Sequence, residues 1–272
     1  MPLKPAIINV METAARKASR NLVRDFGEVE QLQVSRKGPS DFVSAADLRA
    51  ERTLLNELQK GRPGYGLLME EGGSTPGEDD RNRWIVDPLD GTTNFLHGVP
   101  HFAISIAHEE DGQIVAGAVY QPITDELFWA VKGKGAYLNH RRLRVSSRNN
   151  MQDALLATGL PYRGKPKHPA YVATLDALLP QVAGVRRFGA ASLDLAWLAA
   201  GRFDAFWEFD LESWDVAAGL FLVREAGGSV SDMAGRDKAW DGREVLASNT
   251  ALHGDMRKIV NETLRNAEKS VE

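Results

Sequence analysis

Apolar side chains recur at Ile7, Ile8, Met11, Ala14, Ala15, Ala18, Leu22 and Val23, with charged residues between them. That spacing predicts an amphipathic helix over residues 5–26. The polar run Ser35-Arg36-Lys37-Gly38-Pro39-Ser40 predicts a loop. A second helix is expected to start near Ser44, with Asp47 three residues on as a box-like start signal, and to end at Gly61-Arg62-Pro63-Gly64. Tyr65 to Met69 reads as a strand closed by Glu70-Glu71-Gly72-Gly73, residues 74–82 as a polar loop, and Trp84-Ile85-Val86 as a short buried strand.

From Ala103 to Leu138 the period changes. Ile104–Ala107, Ile114–Tyr120 and Leu127–Val131 are apolar runs separated by Asp111-Gly112 and Lys132-Gly133, the pattern of an antiparallel meander. The second half alternates: strands near 154–158, 185–188, 203–208, 229–232 and 245–248, and helices near 168–180, 192–200, 214–226 and from about 252. Antiparallel strands mixed with helices favour a layered α+β fold over a doubly wound parallel sheet. The polar stretch Ser146–Asn150 is the expected boundary between an N-terminal lobe, 1–145, and a C-terminal lobe, 146–272, which together form one catalytic unit.

Composition narrows the chemistry. The chain has 272 residues, 43% hydrophobic and 26% charged, which is the balance of a globular protein with a large core. Its net charge of −4 argues against direct nucleic-acid binding. An anionic substrate therefore needs local positive charge. With no cysteine, disulfides, thiolate catalysis and cysteine-ligated metal sites are excluded. The N-terminus has no apolar signal core, and no apolar run approaches the roughly 20 residues that span a bilayer. A cytoplasmic protein without membrane contact is expected.

The most informative segment is Asp87-Pro88-Leu89-Asp90-Gly91-Thr92-Thr93-Asn94-Phe95. Two carboxylates fall where a buried strand gives way to a turn. Carboxylates beside exposed backbone carbonyls suit a hard divalent cation, and free N–H groups of the next turn suit a phosphate. Further acids stand at strand ends or helix starts: Asp47, Glu70-Glu71 and Asp215 in Ser213-Trp214-Asp215. Each alone has an ordinary structural explanation, as a helix-dipole partner or a solvated turn. Together they match what two-metal phosphate-ester hydrolysis requires, namely several carboxylates from different elements with one bridging. The set is all oxygen, with no histidine ligand evident, which favours magnesium over zinc.

These residues resemble the inositol monophosphatase family of magnesium-dependent, lithium-sensitive sugar phosphatases, over nearly the whole length. One family motif is a Glu-Glu turn followed by Trp-Ile-(Ile/Val)-Asp-Pro-(Ile/Leu)-Asp-Gly-Thr-Thr-Asn-Phe; here it is Glu70-Glu71, then Trp84–Phe95. The other is Trp214-Asp215-Val216-Ala217-Ala218-Gly219 followed by Glu225-Ala226-Gly227-Gly228. Phe42–Asp47 and Gly189-Ala190-Ala191-Ser192-Leu193 are similar to its helix starts. The resemblance implies a layered αβαβα fold with a large antiparallel sheet and a second, smaller sheet. It implies that Glu70, Asp87 and the Leu89 carbonyl bind one magnesium, that Asp87, Asp90 and Asp215 bind a second, and that a weaker third ion shares Glu70. Gly91 and Thr92 would hold the phosphate through N–H groups. Thr92, hydrogen-bonded to Asp47, would with Glu70 position and deprotonate the attacking water. Asp90, Gly189, Ala191, Glu208 and Asp215 would contact the substrate. The implied substrate is a small phosphorylated polyol such as myo-inositol monophosphate, and the implied assembly a homodimer.

Gly91-Thr92-Thr93-Asn94-Phe95 is the inositol version of the motif. Nucleotide-bisphosphate, histidinol-phosphate and fructose-bisphosphate relatives carry other residues there. A broad-specificity phosphatase, or a partner of transcription or ribosome assembly, is the alternative reading. Departures from the pattern are Met69 where glycine is common, Arg36-Lys37 on the third-metal loop with Lys37 the better match, and Ser192 for alanine, read as a minor change. His97 and His101 lack a ligand partner at helical spacing and are expected to serve packing or hydrogen bonding. Gly133-Lys134-Gly135 reads as a hairpin turn. Arg186-Arg187 is open between substrate, subunit and solvent.

Overall fold

The computed structural model describes residues 3–28, 34–38, 41–78, 80–161 and 168–269, with the backbone alone over 34–38, 41–44 and 268–269. The first part of the chain runs α1 (Ala6–Phe26), β1 (Val34–Gly38), β2 (Asp41–Ser44), α2 (Ala45–Gly61), β3 (Gly66–Met69), β4 (Gly73–Thr75), β5 (Asn82–Asp90), α3 (Thr92–Leu96), β6 (Ala103–Glu110), β7 (Gln113–Gln121), β8 (Glu126–Val131), β9 (Gly135–Leu138) and β10 (Arg141–Arg142). The second runs β11 (Leu155–Thr158), α4 (His168–Leu178), β12 (Gly184–Arg186), α5 (Ala191–Ala199), β13 (Ala205–Phe209), α6 (Ser213–Glu225), β14 (Ser229–Ser231), β15 (Glu244–Ser248) and α7 (His253–Lys269).

Among the described residues the strands form an eight-stranded sheet, β10-β9-β8-β7-β6-β5-β3-β4, a five-stranded sheet, β12-β11-β13-β15-β14, and the β1-β2 hairpin. The large sheet is antiparallel except for β3 beside β5, which run parallel with Met69 opposite Val86. In the small sheet β11 runs parallel to both β12 and β13.

Period-2 alternation sorts the side chains into five layers. On one face of the large sheet Trp84, Val86, Ile104 and Ile106 pack against Ile8, Met11, Leu54 and Leu58 of α1 and α2. On its other face Ile85, Ala107, Val119 and Phe128 join Leu195, Leu198, Val216 and Leu220 of α5 and α6, and the same core continues to Ala157, Phe206 and Ala247 of the small sheet. The outer face of that sheet places Leu156, Trp207 and Leu246 against Tyr171, Leu178, Met256 and Val260 of α4 and α7. The order is αβαβα. A single core therefore joins residues on both sides of 145/146. Burial on both faces explains why Trp84–Val86 reads as continuous apolar sequence rather than as alternation.

Small residues let the middle layer close. A Cβ on Gly219 would lie 2.6 Å from the Leu195 Cβ, so α5 and α6 cross at glycine distance. Glu225 accepts the N–H groups of Gly133 and Gly135 at 2.9 and 2.8 Å, which fixes the hairpin between β8 and β9.

Several boundaries differ from the sequence expectation. Of residues 35–40, expected as a loop, 35–38 lie in β1 of the β1-β2 hairpin and 39–40 lie outside the described residues. The 74–82 loop begins with β4, which pairs with β3 although its three residues are exposed. The strand expected at 84–86 runs from Asn82 through Asp90. In each case pairing to a neighbouring strand, a tertiary event, extends or creates the element. Among the described residues no helix is long and apolar enough to cross a membrane.

Candidate active site

β5 does not stop at Asp87. It runs on to Asp90 with one extra residue: Asp87 pairs with Ser105 and Asp90 with Ala103. Such a bulge bends the strand, and Pro88 suits it because it has no N–H to leave unpaired. Asp87, Leu89 and Asp90 are all buried. The Leu89 N–H turns back to Asp87 Oδ1 at 2.8 Å. Gly91 follows at φ 94°, a conformation that favours glycine, and a Cβ there would lie 3.0 Å from the His101 carbonyl. α3 then starts at Thr92.

The parallel partner supplies Glu70. Because β3 and β5 run the same way, their C-terminal ends share one edge of the sheet, and Glu70 N–H donates to the Val86 carbonyl at 3.3 Å. Asp215 comes from the first turn of α6, which packs on β5 and β6. Its Oδ2 accepts the Glu212 N–H at 2.8 Å. Glu212 and Asp215 form a capping box at this helix start.

The acids feel one another. Burial, followed by the charges of Glu70, Asp90 and Asp215, pushes the Asp87 carboxyl well above the usual range. Asp215 is raised well above it by burial first and then by Asp90, Glu70 and Glu208, against the pull of the Glu212 N–H. Asp90 is raised by burial and held back by Ser192. Asp87 and Asp90 already use carboxylate oxygens on N–H and O–H donors, and among the described residues no three His, Asp or Glu side chains form a ready metal cage. The donor chemistry nevertheless fits a hard divalent cation. The groups are oxygen-only, and their mutual repulsion in a buried place is what a cation would relieve.

The remaining candidates surround this cluster. Asp47 is buried in the first turn of α2, and Thr92 Oγ1 lies 3.0 Å from its Oδ1 and 3.1 Å from the Leu89 carbonyl. Gly189, at φ 82°, precedes α5. The Ala191 N–H donates to Asp90 Oδ1 at 3.2 Å. Glu208 lies in β13, next to β11. The side chain of Lys37 lies outside the described residues.

Two contributors escaped the sequence reading. Ser192 is not a minor change: its N–H and hydroxyl both donate to Asp90 Oδ2, at 2.7 and 2.6 Å. Asn94 donates from Nδ2 to the carbonyls of His101 and Phe188, at 2.7 Å each, tying α3 to the segment before α5. Its position inside the motif was the available signal. His101 serves hydrogen bonding and packing, as expected from the sequence: Nε2 lies 3.2 Å from Asp194 Oδ1 and the ring stacks on Phe188. Arg186 and Arg187 are exposed.

A layered α+β fold that gathers carboxylates and a glycine turn at the carboxyl ends of parallel strands fits the class of phosphatases. The chain belongs to the inositol monophosphatase family, whose pattern it matches over residues 4–268. It is 54% identical to the inositol-1-monophosphatase of Mesorhizobium japonicum, over 96% of this chain and 98% of that one. It is 45% identical to the Nus factor SuhB of Pseudomonas aeruginosa, over 90% of this chain and 92% of that one. The crystal structure of the extragenic suppressor protein suhB from Bartonella henselae superposes with a TM-score of 0.92 at 52% identity, covering 94% of this chain and 98% of that one.

Proposed function

We propose that the protein hydrolyses myo-inositol monophosphate, or a closely similar polyol phosphate, to the free polyol and phosphate, with magnesium as cofactor. The observation that carries this reading is the group of carboxylates, Asp87 and Asp90 buried on β5 with half-buried Glu70 after β3 and Asp215 on α6, beside the Thr92–Asp47 contact.

Glu70, Asp87 and the Leu89 carbonyl would hold one magnesium, and Asp87, Asp90 and Asp215 a second, with Asp87 shared. Bound there, magnesium supplies positive charge that stabilises the attacking and leaving oxygens. The chain's own groups do the rest. The N–H groups of Gly91 and Thr92 hold the phosphate. The Thr92 hydroxyl, polarised by Asp47, orients the attacking water, and Glu70 takes its proton. Threonine itself is too weak a base for that step. Asp90, Gly189, Ala191, Asp215 and Glu208 contact the polyol. We place the enzyme in the cytoplasm as a homodimer, on family likeness.

A panel of inositol, sugar, histidinol and nucleotide-bisphosphate substrates, assayed with magnesium, with chelator and with lithium, tests this. Inositol phosphate should turn over fastest, only with magnesium, and be inhibited by lithium. Full activity in chelator would sink it. Likeness to Nus factor SuhB supports a second role, as a partner of transcription machinery. Capture of polymerase-associated proteins by both the wild type and an Asp87→Asn variant would support a role independent of catalysis.

A further inference from the structure

β11 and β13 run parallel with Thr158 opposite Trp207. The next step along both strands brings Gly159 beside Glu208, on the same face of the sheet. A Cβ on Gly159 would lie 1.6 Å from Glu208 Oε1, 2.0 Å from Cδ and 2.4 Å from Oε2. The glutamate therefore folds sideways across the neighbouring strand, and its carboxylate rests on the Gly159 Cα.

Gly159 is buried and is not among the glycines with positive φ. Its backbone conformation is open to any residue. Conformational freedom, the reason for glycine at Gly91 and Gly189, does not explain it. Room does.

The surroundings decide what would yield to a methyl group. The Tyr171 hydroxyl lies 2.7 Å from Thr158 Oγ1, which donates to the Trp207 carbonyl at 2.6 Å. Trp207 Nε1 donates in turn to Thr174 Oγ1 at 3.2 Å. These buried bonds lock β11 to β13 just before the glycine, so the strands cannot spread. The overlapping atoms belong to the end of a side chain with three rotatable bonds. Glu208 is the part that moves.

We propose that Gly159 is a specificity-determining position: the missing side chain holds open the seat of the Glu208 carboxylate, and any larger residue turns that carboxylate away from the substrate hydroxyls. Gly159 is a positioning residue, acting through Glu208 and touching no substrate itself. The inference rests on the substrate role of Glu208 proposed above.

Steady-state kinetics of Gly159→Ala, Glu208→Ala and the double variant with magnesium and inositol phosphate test it, together with thermal unfolding. Both single variants should raise KM by roughly 10- to 100-fold, the scale of a lost hydrogen bond to a charged group, with kcat little changed. The double variant should match Glu208→Ala alone, because the three atoms nearest the methyl group all belong to the removed Glu208 carboxylate, and Tm should stay near wild type in all three. An unchanged KM in Glu208→Ala would remove the role of that glutamate. A raised KM there with a wild-type KM in Gly159→Ala would overturn the Gly159 inference alone. So would additive effects in the double variant, or a Gly159→Ala protein that does not fold.

Discussion

Thr92 and Asp47 meet across 45 positions of chain, hydroxyl oxygen to carboxylate oxygen at 3.0 Å. The contact joins the first residue of α3 to the first turn of α2, and it sits one residue beyond the glycine that ends the bulged strand. Thr92→Ala removes the hydroxyl and keeps the N–H. General-base assistance is worth on the order of 10²–10⁴ in rate, so kcat should fall within that range. Magnesium affinity by calorimetry should stay close to wild type, and Thr92→Ser should keep much of the activity. Equal losses in the alanine and serine variants would assign the threonine to packing only.

Asp87 is buried and repelled by its neighbours, so its charge destabilises the metal-free fold. Its raised pKa means the favourable contribution is present at low pH and lost as pH rises through the folded value. Asp87→Asn removes that charge. At pH 8 in chelator the variant should melt above wild type, yet gain less Tm from magnesium and show no turnover. A variant that magnesium stabilises as strongly as wild type would remove Asp87 from the ligand set.

Ser192→Ala deletes one donor to Asp90 and leaves the backbone N–H in place. The Asp90 pKa should rise further. Stability in chelator, from urea unfolding, should drop by about 1 kcal/mol, the usual worth of such a bond. An unchanged midpoint would show that the hydroxyl contributes nothing there.

His101 has a different pH signature. Burial holds its pKa down at about 4, against 6.5 for the free side chain. The unfolded chain therefore takes up a proton near pH 6.5 that the folded protein refuses until about pH 4. Stability from this group is complete above pH 6.5 and is lost as pH falls through the folded value. Between pH 7 and pH 4 the urea midpoint of wild type should fall relative to that of His101→Asn, because the buried acids contribute equally to both curves. Parallel curves would place the acid sensitivity elsewhere. Asp194, raised by burial, works in the opposite sense as pH rises.

Much of this protein is local and could be read from residues alone. The amphipathic spacing of α1, the apolar meander of β6 to β8, the Gly91-Thr92 turn and the two acidic motifs depend on period, capping and short-range sterics, which a linear chain displays. So the mixed α+β class and the candidate carboxylates are legible in the residues, and the layer order and family follow from the resemblance of the two motifs. Other features exist only when distant segments meet. The bulge at Pro88-Leu89 needs β6 as its ruler, and the convergence of Glu70 with Asp87 needs β3 and β5 to run parallel. Ser192 looks like a neutral exchange until α5 brings its hydroxyl to Asp90. Gly159 carries no signal in the sequence until β13 lays Glu208 across it. Hydrogen bonds and excluded volume act over a few ångströms, and the sequence does not say which residues folding will bring that close.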